Sequence, residues 1–151
     1  MEWPWFGPRT STPSTLLLQA ASGDKRFVVE AAEAALQELA GACSPARVCD
    51  ALGPYCTAHK NPKVRGKAAA ALAPAAQCRA AEGGREAAVQ LLPLVGPLIS
   101  DNTPEARDAA RAMATGLRAA FGEDQDGWAK DCQSLLGAKA AAVVLKSTAT
   151  S

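Results

Sequence analysis

The sequence predicts an all-α chain: a short α-solenoid of about three helical hairpins, closed by a C-terminal capping helix. Three observations predict it. First, 35 of the 151 residues are alanine, the best helix former and a poor strand former. Second, Val, Ile and Thr never alternate with polar residues over a strand's length, so no sheet is expected. Third, one apolar block recurs along the chain, each time after a short polar turn, which is the mark of a stacked array. The length fits one domain and buries a core without staples.

The elements follow in order. Residues 1–13 hold Trp3, Trp5 and Phe6 among three prolines, which forbids a helix and favours an extended arm. Its aromatics either fold back onto the domain or anchor in a partner. Residues 14–146 form the helical domain. Leu16 to Ala21 is a short helix ended by Ser22-Gly23-Asp24. Phe27 to Ala42 carries Val28, Ala31, Ala32, Ala35, Leu36 and Leu39 at the one-face helical period. Ser44-Pro45 reads as N-cap and first-turn proline. That helix is disturbed at Gly53-Pro54 and ends near His59. Asn61-Pro62 repeats the start, and its helix runs towards Ala81 with a kink at Pro74. Glu82-Gly83-Gly84 breaks the chain. Arg85 to Ser100 is helical in period, bent or shortened by Pro93 and Pro97. Thr103-Pro104 opens a helix to about Phe121. After a polar loop, Asp126 caps a helix with Trp128, Leu135 and Leu136. Gly137 separates a last piece ending at Leu145, and residues 147–151 form a loose tail.

The recurring block reads Val28-Val29-Glu30-Ala31-Ala32-Glu33-Ala34-Ala35-Leu36, then Val64 to Leu72, then Ala106 to Ala114, in steps of 36 and 42 residues. Two copies share Pro-x-(Val/Ala)-Arg, at Pro62 to Arg65 and at Pro104 to Arg107. A helix–turn–helix unit of about 40 residues is that of HEAT and armadillo-like repeats. Ala32, Ala68 and Ala110 let neighbours lie close, while Leu36, Leu72 and Met113 fill the space between layers. Stacking then leaves the intra-repeat turns on one edge, an extended binding surface.

Net charge is +1, which argues against a bulk grip on nucleic acid. The charges are unevenly spread. No acid lies between Asp50 and Glu82, a stretch with Lys60, Lys63, Arg65, Lys67 and Arg79. Asp101 to Asp126 holds six acids against Arg107, Arg111 and Arg118. Of the five cysteines (Cys43, Cys49, Cys56, Cys78, Cys132), none makes a CxxC. Buried reduced thiols are expected, in a reducing compartment. The N-terminus lacks a signal-peptide core, and no run approaches the roughly 20 apolar residues of a membrane span. A cytoplasmic protein with no membrane partner is expected.

No catalytic constellation is present, and no cofactor or metal is expected. Gly83-Gly84-Arg85 lacks the phosphate-loop pattern. Zinc needs about four ligands at tight spacing, and His59 is the lone histidine. Glu123, Asp124 and Asp126 lack a calcium loop's terminal Glu. His59 reads as a helix C-terminal residue favoured by the dipole. Trp128 reads as packing within the cap.

The stretch KRFVVEAAEAALQELAGACSPARVCDALGPYCTAHKNPKVRGKAAAAL resembles the later HEAT repeats of a TOG domain, and is most similar to the crescerin, or TOGARAM, group of cilia. The shared features are an F-V-x-E-x-A-x-x-A-L helix, a proline-started helix and an H-x-N-x-x-V-R turn. Residues 82–146 keep the order, with Asp-Asn-Thr-Pro-Glu-Ala-Arg before two closing helices. The resemblance covers roughly residues 14–146. It implies a non-enzymatic structural protein of the cytoskeleton that binds tubulin or microtubules, in the axoneme of a cilium or flagellum, within a larger assembly. It places the contacts on the intra-repeat turns: Lys25, Arg26 and Phe27; His59, Lys60, Asn61, Lys63 and Lys67; and Asn102. Phe27 has a competing reading as a core residue at its helix start, and Lys60 and Lys63 as plain solvated charges. Arg65 and Arg107 are expected to pair with an acid of a neighbouring repeat, Asp50 or Asp101. A complete TOG domain stacks about six repeats, twice what this chain holds. The half array favours a fixed structural role over tubulin capture. The alternative is a HEAT or armadillo-type adaptor for another protein.

Overall fold

The computed structural model describes residues 13–149. The arm with Trp3, Trp5 and Phe6 lies outside the described residues. Within them the chain forms seven helices and no strand: α1 (Pro13–Ala21), α2 (Arg26–Ala42), α3 (Pro45–Ala58), α4 (Pro62–Ile99), α5 (Pro104–Ala119), α6 (Gln125–Leu136) and α7 (Ala138–Ala149). An all-α fold is therefore established.

Local chemistry sets the helix starts. Ser44 Oγ accepts the Arg47 N–H at 3.4 Å, and Asn61 Oδ1 accepts the Lys63 N–H at 3.0 Å, each followed by a first-turn proline. Thr103 precedes Pro104 without a side-chain cap bond to α5. The cap of α6 is Asp124, whose Oδ1 accepts the Gly127 N–H at 2.9 Å, and not Asp126 as the sequence predicts. Two carboxylates within reach of one helix start are not separable by spacing alone.

The breaks differ from expectation. Pro54, Pro74, Pro93 and Pro97 all lie inside helices, and all are exposed. On the outer face a carbonyl deprived of its N–H partner can turn to water, so the helix continues. The sharp break in α4 is at Gly84, with φ 66° and ψ −152°. Arg79 Nη2 donates to Gln90 Oε1 at 3.3 Å across it. A straight helix would hold those Cα atoms about 16 Å apart, beyond the joint reach of the side chains. The two arms of α4 therefore fold towards each other.

The core is alanine-walled. Ala68, Ala69, Ala76, Ala80, Ala88, Ala110 and Ala114 are fully buried, and Leu72, Leu92, Leu98, Met113 and Leu117 fill the space between helices. The three sequence blocks lie on α2, α4 and α5, and the small and large positions named from the sequence, Ala32 and Leu36, Ala68 and Leu72, Ala110 and Met113, are all buried. Helix α4 packs chiefly on α5 and α3, α1 on α2, and α6 on α7. Gly116 allows one of these approaches: a methyl there would come within 2.5 Å of Gln77 Cγ. Gln77 Nε2 donates to the Ala112 carbonyl at 2.7 Å beside it.

Helix α2 is only half covered. Of its predicted apolar face, Ala32 and Leu36 are buried while Val28, Ala31 and Leu39 are exposed. Its partner α1 has 9 residues against 17 in α2. At the other end Trp128 is buried, its ring 5.1 Å from Phe121. Its Nε1 donates to Thr148 Oγ1 at 3.2 Å, and Thr148 is buried. This contact explains why α7 runs to Ala149 instead of ending at Leu145. Three cysteines, Cys49, Cys56 and Cys132, are buried, but Cys43 and Cys78 are exposed. Cys43 falls in the α2–α3 turn and Cys78 on the outer face of α4, where apolar character alone does not force burial.

Candidate partner-binding edge

The first turn, residues 22–25, joins α1 to α2. The second, 59–61, joins α3 to α4. The third, 100–103, joins α4 to α5. Lys63 Nζ lies 3.6 Å from Asp24 Oδ1, which sets the first turn beside the second. Thr103 Oγ1 donates to the Pro62 carbonyl at 3.2 Å, which sets the third beside the second. The three turns thus stand side by side in chain order.

One ion pair holds the last two together. Arg65 Nε lies 2.8 Å from Asp101 Oδ2, with side chains only 18% and 8% exposed. Asp101 Oδ1 also accepts the Thr103 N–H at 2.9 Å. Burial pushes the Asp101 carboxyl up, but the Arg65 guanidinium and the Thr103 N–H and hydroxyl outweigh it and hold it below its ordinary value. Of the two acids expected for Arg65, the partner is therefore Asp101; Asp50 is exposed.

The two repeat arginines perform a second, matching task. Arg65 Nη1 donates to the His59 carbonyl at 2.8 Å, and Arg107 Nη1 to the Asp101 carbonyl at 2.8 Å. Each reaches six residues back to a carbonyl where the preceding helix ends, a group that would otherwise lack an intrahelical partner. Arg107 serves through this backbone bond rather than through the acid pairing expected of it. Both arginines are built into the frame of the edge, not offered from it.

Lys67 is also withdrawn. Its ammonium bonds to Glu33 of α2 and lies 3.4 Å from Glu105 of α5. Burial pushes it down, but the two carboxylates outweigh burial and raise it above its ordinary value. A lysine holding three helices together is not free for a partner, which corrects its place among the contact residues. No spacing signals this triad, because its members come from three separate helices.

The remaining candidates do face outwards. Lys25, Arg26, Phe27, Lys60, Asn61, Lys63 and Asn102 are exposed. Phe27 is 83% exposed, so its reading as a core residue fails: it sits on the first turn of α2 with its ring turned away from the packed helices. Arg26 is held by Glu30 one turn on, at 2.9 Å. His59 is half-buried at the end of α3, where its Nδ1 accepts the Asn61 N–H at 3.1 Å and its ring lies 6.2 Å from Tyr55. It orders the second turn from within. The edge therefore presents Lys25, Arg26, Lys60 and Lys63 around an uncovered phenyl ring, against Asp24 and Glu30.

Among the described residues no group of three His, Cys, Asp or Glu side chains is placed to hold a metal ion. No described helix is long and apolar enough to cross a membrane. Compared with known protein families, curated proteins and solved structures, the chain matches none.

Proposed function

We propose that this chain is a HEAT-type helical array of the TOG kind. In this reading it is a non-enzymatic structural component of a microtubule assembly such as the ciliary axoneme. It binds tubulin through the turn edge. The observation that supports this is the alignment of three intra-repeat turns, braced by Arg65, Asp101 and Thr103, with Lys25, Arg26, Lys60 and Lys63 pointing out. An acidic protein surface is the complement of such an edge, and charge complementarity mainly sets encounter rate and register. Phe27 adds an apolar contact at its first turn.

Co-sedimentation with microtubules tests it, using the full chain and a Lys60→Glu, Lys63→Glu variant. The expected result is pelleting of the parent and a severalfold loss in the variant. Equal pelleting of both would remove the edge from the mechanism, and no pelleting of either would count against direct microtubule binding.

A second reading, an adaptor for a different protein, draws on the third turn. That turn offers Asn102, while its one acid is spent on Arg65, so no cation is presented there. Proximity labelling that recovers neither tubulin nor axonemal proteins would favour the adaptor.

A further inference from the structure

Helices α2 and α4 run side by side in the same direction, and two ion pairs give their register. Asp24, just ahead of α2, meets Lys63, 39 residues on. Glu33 meets Lys67, 34 residues on. Carried to the end of α2, the same register sets Cys43, in the α2–α3 turn, opposite Cys78 of α4, 35 residues on. The two cysteines line one groove of about 550 Å³ between the helices. Beside them its walls are Gly41, Pro45, Pro74 and Ala75, residues with no long side chain to stand between the sulfurs.

These two thiols are exposed, while Cys49, Cys56 and Cys132 are buried. Burial pushes the Cys49 thiol up against the lowering influence of Arg79, and it pushes Cys56 to about 12 and Cys132 to about 11. The thiolate is the form that attacks a disulfide, so the buried three are poor reactants and the groove holds the accessible pair. Arg47 lines the adjoining groove together with Cys43, which puts a guanidinium where an anionic reactant would approach. Cys43 also sits in a connection of only two residues, Cys43 and Ser44. Its backbone can shift there without unwinding either helix. A disulfide needs its two Cα atoms within about 7 Å, so forming one draws this turn onto α4 and narrows the groove.

We propose that Cys43 and Cys78 are a dithiol–disulfide pair that reacts with a small anionic disulfide of the glutathione type and clasps the end of α2 to α4. The thiolate of one cysteine attacks a sulfur of the small disulfide, breaks its S–S bond and releases one small thiol. The thiolate of the other then attacks the protein sulfur of this mixed disulfide and releases the second small thiol. The two protein thiols give up two electrons and two protons, and the small disulfide takes them up. The bond closes a loop over α3 and the first part of α4. It restrains α2, the helix whose apolar face is only half covered. This inference stands apart from microtubule binding, since it uses the opposite end of α2 from Phe27.

Disulfide mapping tests it. The reduced full chain is held at low concentration in a mixture of glutathione disulfide and glutathione, alkylated, and digested with trypsin without reduction. Trypsin leaves Cys43 in peptide 27–47 and Cys78 in peptide 68–79, apart from the other three cysteines. The expected result is that most of the monomer carries 27–47 joined to 68–79. Amide hydrogen exchange in the last turns of α2 should slow severalfold with it, and both changes should reverse on adding reductant. Cys43→Ser and Cys78→Ser should each leave the remaining thiol with one glutathione and the exchange unslowed. Chains carrying a glutathione on Cys43 and another on Cys78, with no bond between them, would overturn the proposal. So would a bond from either cysteine to Cys49, Cys56 or Cys132. A bond found only in covalent dimers would place the partner thiol on a second copy and equally sink the idea. A bond that leaves the α2 exchange unchanged would remove the clasp.

Discussion

Asp101 carries more of the edge than any other single residue. Its carboxylate takes Arg65 and the Thr103 N–H, and its carbonyl takes Arg107. Arg65→Ala would leave this poorly exposed carboxylate without its cation, at a cost of about 2–4 kcal/mol. Urea denaturation at neutral pH should show that loss, with Asp101→Asn losing less because the amide can still accept from Thr103. The sign of the pH effect follows from the depressed Asp101 value. A carboxyl with a lower pKa folded than unfolded contributes stability above its unfolded pKa and loses it as pH falls through the folded one. Parent stability should therefore fall below about pH 4, and the Asp101→Asn profile should be flatter there. Lys67 has the opposite sign. Its raised value means a contribution that is full below the ordinary lysine pKa and lost as pH rises through the folded one. Lys67→Ala should be less stable than the parent at neutral pH and should converge on it at strongly alkaline pH.

At the scale of the helix, alanine and glycine decide what can pack. Gly84 sits in a backbone region that L side chains rarely adopt. Gly84→Ala should cost about 1–3 kcal/mol by denaturant titration, although a methyl there would meet no neighbour within 4 Å. Gly116→Ala has ordinary backbone and no room, so its cost comes from displacing Gln77 and the bond to Ala112. A Gln77→Ala background should therefore rescue Gly116→Ala in part, since the Gln77 Cβ and Cα still lie 3.1 and 3.3 Å from the added methyl, and leave Gly84→Ala unchanged. Most helix starts were readable from the sequence because Ser44-Pro45, Asn61-Pro62 and Thr103-Pro104 are short-range signals. The buried positions of the repeat were readable because a 3.6-residue period records one packed face. What spacing does not record is which faces find a neighbour. Val28 and Leu39 continue the apolar period of α2, yet both are exposed. Leu39 lies beyond the stretch that the 9 residues of α1 can line, whereas Phe27 and Val28, at the helix start, stand on a side that no described helix covers. Lys67 looked like its neighbours Lys60 and Lys63 because the two glutamates that capture it are 34 and 38 residues away in sequence. The α7 end was misjudged because Thr148 is polar in sequence but is held inside by the Trp128 indole.

For the whole molecule the charge pattern separates recognition from stability. The outward cations of the edge pair weakly or only within their own helix, so Lys60→Glu with Lys63→Glu should change stability by no more than about 1 kcal/mol. Partner binding, by contrast, should weaken steeply as salt rises, since exposed charges are screened beyond about 10 Å at ordinary ionic strength. A thermal melt beside a binding titration in two salt concentrations distinguishes the two effects. The arginine bonds to the His59 and Asp101 carbonyls have a mechanical consequence as well. Because Arg65 grips both the turn it belongs to and the next one through Asp101, a pull along the edge loads these bonds together in shear. They do not open one after another, as they would if each turn were tied only to itself. Under load in a force spectrometer, Arg65→Ala should therefore let α4 part from α5 at a lower force than the parent chain, a difference that sets how long such an edge holds under tension.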